Sequence, residues 1–167
     1  MAATSNASAG PPLQLLRLSS AGEQLTVGIE GVREILEVGR MTAMPQTPDF
    51  VHGVMNLRGS VVPVIDLSAR FGSGRTVLGR RSAIVVVETS NNEQHERLIA
   101  GLLVDAVYEV VNVGSEAVEP VPSLGVAIPT DFLSGMVNLG GKYAPLLNLN
   151  LLLAPDRLAQ LIGDHQP

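Results

Sequence analysis

Short aliphatic runs, broken by Gly, Pro, Asn and Ser about every ten residues, set the rhythm of this chain. Such spacing predicts many short strands and not βαβ units. Two hairpins stand out. The first is LQLLRL, a turn at Ser19–Gly22, then EQLTVGI; the second is AIVVVE, a turn at Thr89–Asn92, then RLIAGLLV. Ala83–Glu88 is apolar on consecutive positions, which suits a strand buried on both sides. Leu25–Ile29 and Lys142–Leu147 also read as strands, and Pro145 demotes the latter to an edge or a bulge. Asp66–Phe71 reads as one helical turn with Asp66 as its N-cap. Pro155–Ile162 predicts a short C-terminal helix, with Pro155 in the first turn and Leu158, Leu161 and Ile162 on one face.

The same pattern occurs twice. Residues 50–67 (FVHGVMNLRGSVVPVIDL) return as residues 132–149 (FLSGMVNLGGKYAPLLNL), with Phe50/Phe132, Gly53/Gly135, Asn56/Asn138, Leu57/Leu139, Gly59/Gly141, Pro63/Pro145 and Leu67/Leu149 identical. Upstream, Ile29–Val38 returns as Val104–Val113. A position kept in both copies is needed to build the unit, and one that differs is free for other work. The expected architecture is all-β: two pseudo-symmetric five-stranded SH3-like β-barrels with a short C-terminal helix. Residues 1–12 form a disordered leader, 13–71 the first barrel, 72–81 a linker, 82–153 the second barrel and 155–162 the helix. Each half is too small to hold a comfortable core alone, so the halves are expected to share apolar surface in one rigid body.

Composition narrows the function. A net charge of −5, a single lysine and no tryptophan speak against nucleic acid, which needs clustered cations and flat rings. The absence of cysteine removes disulfides, thiolate metal sites and a cysteine nucleophile. The first twelve residues lack the basic and apolar regions of a secretory signal, and no apolar run reaches membrane-spanning length, so no membrane insertion and a cytoplasmic location are expected.

Catalytic chemistry finds little support. His95 and His165 lie in polar loop or tail sequence, and His52 has Ser134 as its counterpart. A hydrolase on two barrels is the competing class, built from His52 with Asp66 or Asp105 and a serine such as Ser73, Ser123 or Ser134; none of these serines sits in a nucleophile motif. Asp66 aligns with Asn148, and capping a turn is the task both side chains can perform. The segment GRTVLGRRS lacks the lysine of a phosphate loop. It belongs to an arginine-rich stretch (Arg70, Arg75, Arg80, Arg81) that reads as a solvated linker or a contact for an acidic partner. No catalytic residue, cofactor or metal ligand is nominated. Asn56, Gly59, Asn138 and Gly141 are assigned to turns and Gly53 to the shared framework. Arg58 differs: its counterpart is Gly140, so the turn does not require it, and a guanidinium on a rigid turn binds with little entropy loss. Glu34 recurs as Glu109, which suggests an ion pair across strands.

VREIL at 32–36, GVMNLRGSVVPVIDL at 53–67 and the following Arg70–Phe71 resemble the CheW family of chemotaxis coupling proteins. GLLVDAVYEVV and the Ile84–Val87 strand continue the likeness over roughly residues 13–162. The resemblance implies two SH3-like barrels about a pseudo-twofold and no enzymatic activity. It implies two partners, the cytoplasmic tip of a chemoreceptor and the regulatory domain of a CheA-like histidine kinase, which pairs barrel to barrel with the coupler. It places receptor binding on Arg58 and on Glu34, with Val32 and Ile35 facing the receptor helix. Flagellar, pilus-based and surface-sensing circuits all use such couplers. NLGGKYAPLLNLN in the second copy departs from the family pattern.

Overall fold

The computed structural model describes residues 12–91, 96–122 and 128–153. Among the described residues, eleven strands make two sheets. In chain order they are β1 (Leu13–Ser20), β2 (Glu23–Gly28), β3 (Val32–Glu37), β4 (Val51–Leu57), β5 (Ser60–Asp66), β6 (Ala83–Asn91), β7 (Glu96–Val104), β8 (Ala106–Val113), β9 (Val118–Glu119), β10 (Leu133–Leu139) and β11 (Lys142–Leu147). Two short helices follow β5 and β11: α1 (Leu67–Arg70) and α2 (Leu149–Leu153). The expected turn at Asp66 is present, and Asp66 caps it by accepting the Ala69 N–H at 3.2 Å. Asn148 does the same for Leu151 at 3.1 Å, so the two copies end alike. The helix expected over Pro155–Ile162 and most of the leader at 1–12 lie outside the described residues.

The two sheets do not follow the two halves of the sequence. One sheet runs β8-β1-β2-β11-β10-β9, the other β3-β6-β7-β5-β4. Each half sends its opening hairpin into the sheet of the other: β1–β2 joins β8 and β11, and β6–β7 joins β3 and β5. Barrels bounded at 13–71 and 82–153 are therefore corrected to an exchanged pair. The physical reason is that a hairpin carries two open edges, and the repeat says nothing about which sheet closes them. The chain changes sheets at Ile29–Gly31 and again around Asp105.

Exchange makes the core common property. Leu16 and Leu18 of β1, Leu25 and Val27 of β2, Val85 and Val87 of β6, and Ala100, Leu102 and Val104 of β7 form one buried cluster with Leu152 and Leu153. Ile84 and Val86, on the opposite face of β6, enter a second cluster with Met55, Val62, Val64 and Leu103. Continuous apolar sequence in β6 thus reflects burial on both faces, worth roughly 1.5–3 kcal/mol per large side chain. Where the halves meet, the Arg70 guanidinium lies 4.6 Å from the ring centres of both Phe50 and Phe132, which are repeat counterparts.

Two local expectations need correction. Thr89–Asn91 belong to β6 and not to a turn; the β6–β7 connection begins at 92. β11 is not an edge strand, since it lies between β2 and β10. Counting outward from the closing pair Leu139–Lys142, Pro145 opposite Met136 is a pair without mutual hydrogen bonds. Its missing N–H therefore faces β2, where pairing is reduced to the single bridge Leu146–Thr26, and Thr26 Oγ1 donates instead to the Pro145 carbonyl at 3.0 Å.

Candidate functional site

The β4–β5 and β10–β11 hairpins close through two-residue turns with positive φ at both central positions: Arg58 (51°) and Gly59 (88°), Gly140 (67°) and Gly141 (96°). This is the turn that matches strand twist. Asn56 Oδ1 accepts the Gly59 N–H at 2.9 Å, and Asn138 Oδ1 accepts the Gly141 N–H at 2.8 Å. Arginine thus occupies a left-handed position that the second copy gives to glycine. Only Asn, Asp and Gly adopt this conformation at little cost, so Arg58 is held where the turn alone disfavours it.

Its guanidinium makes a forked pair with Glu34 of β3, Nη1 to Oε2 at 2.8 Å and Nη2 to Oε1 at 2.9 Å. β3 and β4 are the first and last strands of their sheet, so this pair spans the seam where the barrel closes on itself. Glu34 is mostly covered, 22% exposed, while Arg58 projects, 71% exposed. The hydrogen-bonded guanidinium holds the Glu34 carboxyl below the usual carboxylate range, against a smaller opposing push from partial burial. Arg58 is raised in return.

Val32 and Ile35 occupy the other face of β3. A bulge between Val32 and Glu34 makes Arg33 the extra residue, so Val32 stands opposite Val87 and Ile35 opposite Val85, while Glu34 stands opposite Val86. Directly paired residues share a face. Val32 and Ile35 therefore look toward the cleft between the sheets, Val32 half-buried against the core and Ile35 46% exposed. Glu34 and Arg58 mark the barrel rim. Three of the four nominated residues thus lie on edge strand β3, Val32 and Ile35 on one face and Glu34 on the other, and Arg58 reaches Glu34 from the β4–β5 turn. Glu109, the counterpart of Glu34, pairs with Arg17 of β1 at 3.1 Å, since Gly140 offers it nothing.

Further exposed apolar residues fall on equivalent positions: Ile35 with Val110, and Val61 (70% exposed) with Tyr143 (53%). Val61 and Tyr143 were not nominated from the sequence. The available signal was an apolar residue at an outward strand position in both copies. Tyr143 joins Glu119, Pro120, Pro122 and Met136 around an apolar depression of about 320 Å³. Its phenol, hydrogen-bonded to the Glu119 carboxylate, is held above the usual value. In the linker, Arg75 approaches Asp49 at 4.0 Å and Arg81 lies over the Tyr108 ring.

The hydrolase alternative loses Asp66, one of its two candidate carboxylates. Asp66 is buried and spends its carboxylate on the N–H of Ala69 and on the N–H and hydroxyl of Thr76, so no histidine orients on it among the described residues.

Comparison with known proteins gives a consistent picture. The family model of the CheW-like domain matches residues 14–157. The probable chemotaxis protein CheW of Rhizobium etli is 33% identical over 141 residues, 84% of this chain and 87% of the relative. Protein PilI of Pseudomonas aeruginosa is 33% identical over 133 residues, 79% of this chain and 67% of the relative. Among solved structures, the scaffolding protein TtCheW from Thermoanaerobacter tengcongensis superposes with a TM-score of 0.75 at 34% identity, covering 87% of this chain and 90% of that one.

Proposed function

The chain belongs to the CheW-like domain family, and from that membership we propose that it is a non-catalytic adaptor coupling chemoreceptors to a CheA-like histidine kinase. The observation that carries this reading is the family match over residues 14–157 together with the superposition on a scaffolding protein. As a member of this family the chain is a scaffold and not an enzyme. No described helix is long and apolar enough to cross a membrane. The coupling role proposed here, and not that absence, assigns the adaptor to the cytoplasm, beneath a receptor array.

The receptor tip is a helical hairpin, and an amphipathic helix laid against an apolar groove suits the face of Val32 and Ile35. Arg58 and Glu34, on the rim beside it, set register and orientation. The Tyr143 depression at the end of the other barrel suits a second, barrel-to-barrel contact with the kinase regulatory domain. Each contact buries on the order of 1,000 Å² at micromolar affinity, and repetition through an array supplies the remaining strength. Signal passes as a change in packing between bound partners. A second reading, in which the same coupler serves a pilus or surface-sensing pathway, stands beside this one; the chain is as similar to Protein PilI as to the chemotaxis relative.

Arg58→Ala tests the assignment. It is expected to keep the circular-dichroism spectrum, to weaken capture of a receptor-tip fragment about tenfold and to leave capture of the kinase regulatory domain within about twofold. Equal loss of both partners rejects the division of labour.

A further inference from the structure

The linker between the halves carries chemistry that the receptor and kinase contacts leave unused. Residues 67–87 hold four arginines and no acidic side chain, in a chain whose net charge is −5. Arg70 is spent inward, on the rings of Phe50 and Phe132 and on the Leu152 carbonyl, to which its Nε donates at 3.3 Å. The other three, Arg75, Arg80 and Arg81, bracket two apolar residues. Val77 is 88% exposed, more than any other large apolar side chain among the described residues, and its neighbour Leu78 is 51% exposed.

The segment is held in place. Ser73 N–H donates to the Ser68 carbonyl at 3.0 Å. Thr76 donates its N–H to Asp66 Oδ2 at 2.8 Å and its hydroxyl to Oδ1 at 2.7 Å. Gly79 N–H donates to Ser82 Oγ at 2.8 Å. Anchors thus stand on both sides of the Val77–Leu78 pair, and little backbone freedom is left to lose on binding. Below the pair lies a depression of about 300 Å³, lined by Ala21, Ser68, Arg75, Val77 and Asp105 among others. Asp66 ends β5, whereas the Arg58 turn precedes its start, so the length of that strand, about 20 Å, separates this surface from the rim of Arg58 and Glu34.

Little offsets the arginines. Arg75 approaches only the exposed Asp49, at 4.0 Å, and Arg81 lies 5.5 Å from the centre of the Tyr108 ring. Arg80 has no ion-pair partner among the described residues. Apolar side chains ringed by guanidinium groups suit a partner that brings carboxylates and large apolar side chains together; the first attract it and the second cover Val77 and Leu78. An anionic bilayer offers both features, but it repels a molecule of net charge −5 as a whole, and a second copy of the chain does the same. A peptide segment meets the linker alone.

We infer that residues 75–81 form a docking surface for an acidic peptide segment carrying a pair of large apolar residues. The inference does not rest on the coupling function.

The probe is an end-capped peptide, Gly-Glu-Asp-Leu-Leu-Asp-Glu-Gly, titrated into the ¹⁵N-labelled full chain. Saturable amide shifts are expected at residues 74–82 and at Ala21 and Asp105. Val77→Ser with Leu78→Ser, and separately Arg75→Glu with Arg80→Glu, are each expected to raise the half-saturating concentration at least about fivefold. Both pairs are exposed, so the circular-dichroism spectrum is expected to stay unchanged. Serine in place of both peptide leucines is expected to weaken binding by a similar factor, and raising salt from about 50 to about 300 mM by about threefold. No saturable shift, shifts centred elsewhere, or indifference to either double variant would overturn the proposal. So would stronger binding to phosphatidylcholine vesicles containing about one-third phosphatidylglycerol, or self-association of the chain, if the Val77→Ser/Leu78→Ser variant abolished it; these outcomes would give the surface to a membrane or to a second copy.

Discussion

Arg58 and Glu34 are 24 positions apart, and each was nominated on separate grounds: one because its repeat counterpart is glycine, the other because it recurs. Their mutual pairing was not legible, since it depends on closure of the barrel, which brings the first and last strands of one sheet together. The pair has a consequence for pH. The Glu34 carboxyl is held low in the folded state by Arg58, so the folded protein binds its proton less readily than the unfolded chain. The stabilisation is fully present above the ordinary carboxylate value and is lost as pH falls through the lowered folded value. Glu34→Gln is therefore expected to lower the melting temperature slightly at neutral pH, with the gap to the parent chain closing on acidification below the usual carboxylate range. Thermal melts of both proteins across that range check it; a gap that widens with acid contradicts the assignment. The effect is small because Arg58 is mostly exposed and solvent screens the pair.

Element by element, much was written in the chain. The repeat located both turns and both caps, and the unbroken apolar run of Ala83–Glu88 located the doubly buried β6. It also marked Gly53 and Gly135 as shared, and the structure supplies the reason. A Cβ at Gly53 would stand 2.6 Å from the Thr42 carbonyl oxygen, and one at Gly135 would stand 2.8 Å from that of Glu119. At both sites a bulged strand receives a short neighbour: Thr42 bridges Val54, and Glu119 of β9 pairs with Met136. The close approach is backbone against backbone, so it cannot relax by moving a side chain. Gly53→Ala is expected to cost about 2 kcal/mol or more in urea unfolding. Its local signature is loss of amide protection at Thr42 and Val54, which bond to each other's carbonyls at 2.9 and 2.8 Å. Pro145 shows where element-level reading fails: an imino acid excludes a ladder bond on one side only, and the sequence does not say which side has a bond to lose.

For the whole molecule, the repeat identified two copies but not their embrace. Hydrophobic patterning fixes which face of a strand is buried; it leaves open which edge a hairpin joins, because backbone donors and acceptors are the same at every edge. The exchange of β1–β2 against β6–β7 means that each sheet draws strands from both halves of the chain, and that Arg70 stacks on one phenylalanine from each. Separately expressed halves, residues 1–79 and 80–167, would each lack the hairpin that completes their own sheet, and each would expose most of the cluster formed by Leu16, Leu25, Val85 and Leu102. Neither is expected to show a cooperative unfolding transition. Mixed in equal amounts, they are expected to restore the β spectrum and the transition of the intact chain at a lower midpoint, because the joint at Gly79 is exposed and the linker's anchor on Asp66 stays with the first half. A cooperative melt from either half alone would mean that the hairpins can close on their own copy, and that the exchange is one of two accessible arrangements. Two independent barrels tethered by a linker would move relative to each other and blur a signal carried by geometry. Barrels that share strands and a core are held against such movement, which is the property the proposed coupling role requires.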